Sequence, residues 1–368
     1  MDIATIELFV ISMPLKSPFV THLGEVRERE GIIIKVTDKD GVEGFGEGVA
    51  FSTPWYTEET VRTSLHMLED FLIPLLQKHP INHPEEAAGL FQSIRRNPMA
   101  KSGLETALWD LYAKGQGQSL AKMIGGTRDA ISSGVVIATD TITKALKQIE
   151  GYLEDGYQRI KVKINPSQDY EFLSAIRRHY PNLPMMADAN SAYTLKDIEQ
   201  LKALDDFNLL MIEQPLAHDD IIEHAILQEK LVTPICLDES IVSFEDARKA
   251  IEIDACRVIN IKIGRVGGLH EVIKIHDYCY ERGIPVWCGG MIEFGVSRAH
   301  NIALASLPGF TIPGDISASS RFWDEDIITP EVKVEKGFVT VPDGPGIGYD
   351  INEKRLQQVL LTKKTFTI

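Results

Sequence analysis

No run of 18 or more apolar residues occurs in this 368-residue chain, which argues against a membrane-spanning helix. Basic charge is in short supply: 38 Lys and Arg stand against 53 Asp and Glu, a formal charge of −15. A nucleic-acid binder needs a basic footprint for the phosphate backbone, and none stands out. Nor is there a basic amphipathic segment suited to a membrane surface. Cysteine is scarce: Cys236, Cys256, Cys279 and Cys288 are spread without a C-x-x-C spacing. That argues against a disulfide framework and a thiolate zinc site, and buried reduced thiols are expected. The histidines form no ligand cluster at metal spacing. The N-terminus, MDIATIELFVISMPL, has no basic region and alternates like a strand, so it does not read as a signal peptide. A cytoplasmic location is the expectation. GFGEG (Gly44–Gly48) has glycines spaced like a dinucleotide loop, but no helix opens after it.

What remains is the composition of a globular enzyme-sized chain. Hydrophobic residues make up 44% and charged residues 25%, enough to bury a large core. The length suggests roughly two domains. The first third reads as mixed α and β. Strands are expected at Ile3–Ser12, Gly31–Thr37 and Val42–Val49, with a turn at Asp38–Gly41. Helical patterns follow at Glu58–Gln77, Pro84–Arg95 and Gly103–Gly115. This α+β unit ends near Gly125–Gly126.

Short apolar strands then alternate with helical segments at a steady pitch. Strands are expected at Gly134–Ala138, Arg159–Ile164, Met185–Asp188, Leu210–Glu213, Ile235–Asp238, Val258–Ile261, Pro285–Trp287 and about Phe310–Asp315. Eight strands with helices between them predict a parallel barrel. A doubly wound open sheet is the competing arrangement, and the lack of a Gly-rich phosphate loop after the first strand weighs against it.

Catalytic groups of such a barrel sit at the C-terminal ends of its strands. The residues closing the strands here are Lys161 and Lys163, Asp188 and Asn190, Glu213, Asp238 and Glu239, and Lys262. From Lys163 to Asp188, Glu213, Asp238 and Lys262 the steps are 25, 25, 25 and 24 residues. One β/α unit takes about that length, so each group holds the same station on successive strands. Five ionisable stations converging on one mouth would be costly to bury unpaired. Three carboxylates from adjacent strands make an all-oxygen site for a hard cation, and Mg²⁺ fits best. Zinc fits less well, since no His or Cys joins the set. The alternative is that the carboxylates are salt-bridged to the lysines without a metal.

The lysine stations flank the carboxylates. A lysine near its ordinary pKa of about 10.4 is a poor base at neutral pH. Lys161 and Lys163 point to one face of their strand, and their repulsion, with a metal nearby, is expected to help keep one neutral. The layout suits removal of a proton α to a carboxylate held by the metal, which would also stabilise the enediolate.

At these residues the chain resembles a family. IKVKI (Ile160–Ile164), DAN (Asp188–Asn190), IEQP (Ile212–Pro215), DES (Asp238–Ser240) and NIKIGRVGG (Asn260–Gly268) are similar to motifs of the enolase superfamily, muconate-lactonising subgroup. The closer match, carried by KIGRVGG and by the segment from Gly289 to Ser317, is to o-succinylbenzoate synthases and N-succinylamino acid (N-acylamino acid) racemases. Lysine bases acting with Mg²⁺ are a known pattern of that superfamily.

The resemblance implies an α/β fold, a modified TIM barrel of (β/α)7β form with an N-terminal α+β capping domain completed by the C-terminal segment. The implied boundaries are 1–125 for the cap, 126–318 for the barrel and 319–368 for the segment that packs back on the cap. It implies Lys163 and Lys262 as the catalytic acid/base pair and Asp188, Glu213 and Asp238 as Mg²⁺ ligands. Lys161, Asn190, Glu239 and Arg265 would support them, with Met291, Glu293 and Asp315 as candidates for the substrate pocket.

The reaction implied is dehydration of 2-succinyl-6-hydroxy-2,4-cyclohexadiene-1-carboxylate to o-succinylbenzoate, a step of menaquinone synthesis. Racemisation of N-succinylamino acids is the companion activity. Dipeptide epimerase and muconate cycloisomerase share the same lysines and ligands. A Schiff-base aldolase would use a lysine as nucleophile and need no metal. The partner expected is a small-molecule carboxylate substrate, with no nucleic acid, no membrane and a homo-oligomeric assembly. Two loops, Lys16–Glu30 and Ala50–Tyr56, are expected over the mouth. Phe19, Phe51 and Trp55 either line the pocket or pack the domain interface.

Overall fold

The computed structural model describes residues 1–21, 24–137, 139 and 141–368. His22 and Leu23 of the expected Lys16–Glu30 loop, and Ala138 at the end of the expected first barrel strand, lie outside the described residues.

The cap is built on a four-stranded antiparallel sheet. Its order is Leu360–Thr367, Ile3–Thr21, Gly24–Asp38, Glu43–Gly48. The last strand of the chain thus pairs with the first, Thr5 opposite Thr367. Alternation along the first strand explains why both faces are covered. Ile6, Leu8 and Val10 pack into a cluster with Ile32, Ile34 and Leu104, while Phe9, Ile11 and Met13 join the main core that continues into the barrel. Asp38 turns the chain between strands two and three: its Oδ1 accepts from the amides of Asp40 and Val42 at 3.0 and 2.8 Å.

Lys16–Glu30 is mostly not the loop that its polar sequence suggested. Both strands continue to within two residues of each other, with a register shift between Pro14 and Phe19. Pro14 and Pro18 offer no N–H to the ladder there, and the pairing resumes beyond them. The expected Glu58–Gln77 helix is also modified. It divides into Val61–Met67, a π-helical turn at Leu68–Leu72, and Ile73–Lys78. Pro74 removes one donor from the i→i−4 ladder, and the π turn absorbs the loss.

The barrel sheet has seven parallel strands in sequence order: Gly134–Ile137, Arg159–Lys163, Met185–Asp188, Ile212–Glu213, Ile235–Leu237, Val258–Ile261 and Val286–Cys288. The expected eighth strand, about Phe310–Asp315, makes isolated bridges instead. Phe310 pairs with Val286, and Gly314 pairs with Ser133 beside the first strand. This segment closes the ring of strands. Pro313 cannot donate to a ladder, which keeps the segment from forming a full strand. The architecture is a modified (β/α)7β barrel with an α+β cap. Met186, Met211, Cys236, Val258 and Trp287 form a separate buried cluster. All four cysteines are buried and free. Among the described residues no helix is long and apolar enough to cross a membrane.

The helix Pro98–Gly115 lies against the third cap strand at backbone distance. A Cβ at Gly46 would meet the Gly103 carbonyl oxygen and the Ala107 amide well inside van der Waals contact. Backbone on both sides cannot yield cheaply, so Gly46→Ala is expected to cost about 1–3 kcal/mol of stability. Urea unfolding followed by circular dichroism measures it, and an unchanged midpoint would contradict this account of the packing.

Candidate active site

The site is assembled where the parallel strands end. Register places Lys163 beside Asp188 and Asp188 beside Glu213 on three adjacent strands. Asp238 and Lys262 follow immediately after the next two. The strand order puts a lysine strand on each flank of the three that carry carboxylates.

Lys161 is the buried centre of this arrangement. Its Nζ lies 2.7 Å from Asp315 Oδ2, 3.1 Å from Glu213 Oε2 and 3.2 Å from Asp188 Oδ2. Trp287 lies beneath, 5.0 Å from Nζ to the ring centre. Burial works to lower the Lys161 pKa, but Asp315, Glu213 and Asp188 outweigh it and hold the ammonium above the ordinary lysine value. The repulsion expected between Lys161 and Lys163 is therefore overridden by three carboxylates. Lys163 is more open. It donates to Asp188 Oδ2 at 2.7 Å and to Asn190 Oδ1.

On the other flank Lys262 lies 2.9 Å from Asp238 Oδ2 and donates to the Tyr56 hydroxyl at 2.9 Å. Its pKa too is raised: burial opposes, while Tyr56, Glu239 and Glu213 prevail. Arg265 pairs with Asp238 Oδ1 and donates to the backbone oxygens of Ile241 and Asn260. Arg265 is thus a fully buried brace behind Asp238.

The carboxylates differ in environment. Burial pushes the Asp188 pKa up, but Lys163 and Lys161 pull it below the ordinary carboxylate range. Glu213 is raised by burial and by the Asp188 charge. Asp315 is lowered against its burial by Lys161 and Arg159. Glu239 is raised by burial and by Asp188. One Glu239 oxygen accepts from Asn190 Nδ2 at 2.9 Å, and the other, Oε2, is buried with no partner among the described residues.

One cavity opens over these groups. Lys161, Lys163, Asp188, Asn190, Asp238 and Lys262 line its base. Met291, Glu293 and Asp315 line its wall, while Glu213, Glu239 and Arg265 lie outside the lining. The Glu293 carboxylate turns back on its own loop, accepting from the Met291 amide and from Asn301 Nδ2. Phe19, Phe51 and Trp55 both line the cavity and belong to the packing around the core. Phe51 and Trp55 have ring centres 4.7 Å apart.

Several residues that build the site are not among those expected there from the sequence. Tyr56 reaches in from the cap, donating to Asp238 Oδ1 at 3.1 Å. Gln214, at a positive φ of 39°, joins two strand-end loops. Its Oε1 accepts from the amides of Asp238 and Ser240, and its Nε2 donates to Ser240 Oγ at 2.6 Å. Arg29 of the cap donates to the backbone oxygens of Val49, Ala50 and Ile292. Glu47 accepts from the amides of Phe294 and Ser297, both at 2.8 Å. Cap residues therefore fix the loop that carries Met291 and Glu293.

The donor set is suited to a hard divalent cation. It is all oxygen, it comes from three adjacent strand ends, and a neighbouring carboxylate oxygen, Glu239 Oε2, is buried with no donor among the described residues. Among the described residues no three His, Cys, Asp or Glu side chains already stand together as a metal site. The reason is local: Asp188, Glu213 and Asp238 each turn oxygens toward ammonium or guanidinium groups.

Residues 5–125 match the mandelate racemase / muconate lactonizing enzyme N-terminal domain, and residues 144–355 match the enolase C-terminal domain-like family. The chain is similar to an o-succinylbenzoate synthase of Geobacillus stearothermophilus, 57% identical over 97% of this chain and 95% of that one. It is 44% identical to an N-succinylamino acid racemase of Thermus thermophilus over 99% of each. A solved member of the enolase superfamily from Listeria innocua superposes with a TM-score of 0.97 at 44% identity, covering 100% of this chain and 99% of that one.

The clamp on the Met291 loop makes a pH-dependent prediction. Burial pushes the Glu47 pKa from 4.5 up to about 7, against its two amide donors and Arg29. The folded value exceeds the unfolded one, so the native state holds this proton more tightly. The contribution is fully present below about pH 4.5 and is lost as pH rises through about 7. Glu47→Gln removes the titration. The stability advantage of the wild type over this variant, from urea unfolding, is expected to be larger at about pH 5 than at about pH 8. A gap that stays constant across that range would contradict the raised pKa.

Proposed function

The chain belongs to the mandelate racemase / muconate lactonizing enzyme family of the enolase superfamily, and from that premise we propose that it is a metal-dependent o-succinylbenzoate synthase. The observation that carries the reading is the pair of lysines, Lys163 and Lys262, on strands flanking three carboxylate strands and lining one cavity. Enzymes of this superfamily typically use a divalent metal. Asp188, Glu213 and Asp238 are the residues we assign to hold it, and Mg²⁺ is the ion suited to their oxygens. Bound there, it would neutralise charge gathering on the substrate carboxylate.

The residues of the chain then divide the proton work. Lys163 removes the proton α to the ring carboxylate, and the electron pair spreads into the carboxylate as an enediolate. Lys163, now an ammonium, returns its proton to the hydroxyl leaving from the same face. Water departs and the ring becomes aromatic, which drives the reaction forward. Lys262 remains a cation and stabilises the enediolate from the opposite flank. Lys161, Asn190 and Arg265 hold the carboxylates and lysines in register. Phe19, Phe51 and Trp55 shield the reacting face from water.

The same two lysines support racemisation of N-succinylamino acids, each serving one face of the α-carbon. The specific support is a lysine on each flank, together with the similarity to a racemase of that class. A Schiff-base aldolase gains nothing from three carboxylate stations.

Removing either lysine is expected to reduce dehydration of the cyclohexadiene substrate by at least about 10³-fold, with EDTA abolishing it in the unmodified chain. Loss of the ultraviolet absorbance of the substrate measures the rate. For amino-acid substrates, α-proton exchange in D₂O reads each face separately. Turnover retained in both Lys163→Ala and Lys262→Ala, or full activity in EDTA, would overturn the assignment.

A further inference from the structure

The substrate classes above carry two anionic ends, a reacting carboxylate and the terminal carboxylate of a succinyl arm. The lysines at the base of the cavity are all taken: Lys161 by Asp188, Glu213 and Asp315, Lys163 by Asp188, and Lys262 by Asp238. A fourth cation lines the same cavity. Arg321 ends the short turn Ser319–Arg321 that follows the closing segment of the barrel. Among the described residues it has no carboxylate partner.

Its side chain is nonetheless held in place. Nη2 donates to the Val136 backbone oxygen at 2.8 Å, and Val136 is the register partner of Lys161 on the first barrel strand. The guanidinium carbon lies 5.5 Å from the ring centres of both Tyr152 and Phe322. The turn itself is tied to the cap, since the Lys16 amide donates to the Phe322 oxygen and Lys16 Nζ to the Ser320 oxygen, both at 3.0 Å. One of the five N–H donors of the guanidinium is thus used, and the rest face no acceptor among the described residues. A pre-oriented planar fork with free donors is suited to a carboxylate.

We propose that Arg321 binds the terminal carboxylate of the succinyl arm and so sets the preference of the site for succinylated substrates. This rests on the proposed function for the identity of the substrate, and it adds the residue that recognises the end of the substrate remote from the lysines. The arm is a flexible chain. It carries its charge away from the reacting carbon, to the wall of the cavity formed by the closing segment.

Binding is the readout, so the result does not depend on turnover. Calorimetry with Mg²⁺ present compares an N-succinyl amino acid with its N-butanoyl analogue, in which a methyl group replaces the terminal carboxylate. The unmodified chain is expected to favour the succinyl ligand by roughly 10- to 100-fold. In Arg321→Gln the preference is expected to fall to within about threefold of unity, with Arg321→Lys intermediate. No preference in the unmodified chain, or a preference undiminished in Arg321→Gln, would overturn the proposal. If Arg321→Gln does not fold, the unmodified chain and Arg321→Lys still decide: a preference equal in the two overturns it. A succinyl preference in a chain that neither dehydrates the cyclohexadiene nor exchanges the α-proton would instead defeat the proposed function and leave the Arg321 assignment standing.

Discussion

The ammonium of Lys161, held between the carboxylates of two strand ends and that of Asp315 on the closing segment, is the contact on which the site depends. Moving one such ion out of water costs several kcal/mol even after the protein relaxes. That cost is offset only while Asp188, Glu213 and Asp315 stay within reach of one atom, which fixes the relative heights of their chain segments. The floor below is correspondingly stiff: Trp287 is fully buried and donates its indole N–H toward Cys236 Sγ at 3.3 Å. Arg159 extends the network by taking the second oxygen of Asp315 at 2.8 Å. Charge is therefore distributed in a fixed alternation around the mouth, and any group that enters must fit that alternation.

The cap completes this order as well as covering it. Tyr56 shares Asp238 with Lys262 and Arg265, so a cap residue takes part in the electrostatics of the barrel. Arg29 and Glu47 act on the seventh-strand loop by opposite chemistry. The guanidinium neutralises backbone oxygens, and the carboxylate neutralises the free amides that open the helix Gly295–Ala305. The final strand, paired along the first, ties residues from both ends of the chain into the sheet that presents these groups.

What the sequence revealed and what it hid follow one physical division. Lys163, Asp188, Glu213, Asp238 and Lys262 were legible because each closes an apolar strand and the β/α repeat recurs at nearly constant length. Periodicity is a local property and survives in one dimension. The individual contacts of Tyr56 and Arg321 were not legible, because they are made with neighbours far along the chain: Lys262 for Tyr56, and the first barrel strand for Arg321. Gln214 sits inside a recognised motif, but its five hydrogen-bonding contacts depend on the next strand end being alongside. The misjudged elements share a cause as well. Polar side chains on Lys16–Glu30 suggested a loop, yet strand pairing is made by backbone and tolerates polar residues on an exposed hairpin. Pro313 breaks a ladder that the apolar run around it would otherwise support.

The distinction between Lys161 and Lys163 shows why two lysines on one face of one strand need not share a task. Lys161 is 4% exposed and its three ion-pair partners are all carboxylates. Removing its proton would leave three buried carboxylates without their shared counter-ion, so its charge is part of the structure. The Lys163 side chain is 21% exposed and meets one carboxylate and one neutral amide oxygen. Fewer fixed charges depend on its ammonium, and the residue lines the cavity. A proton carrier in a crowded ionic site has to be the cation whose loss disturbs its neighbours least. In the proposed reaction that carrier is Lys163, two positions closer to the mouth, working against the fixed field of Lys161.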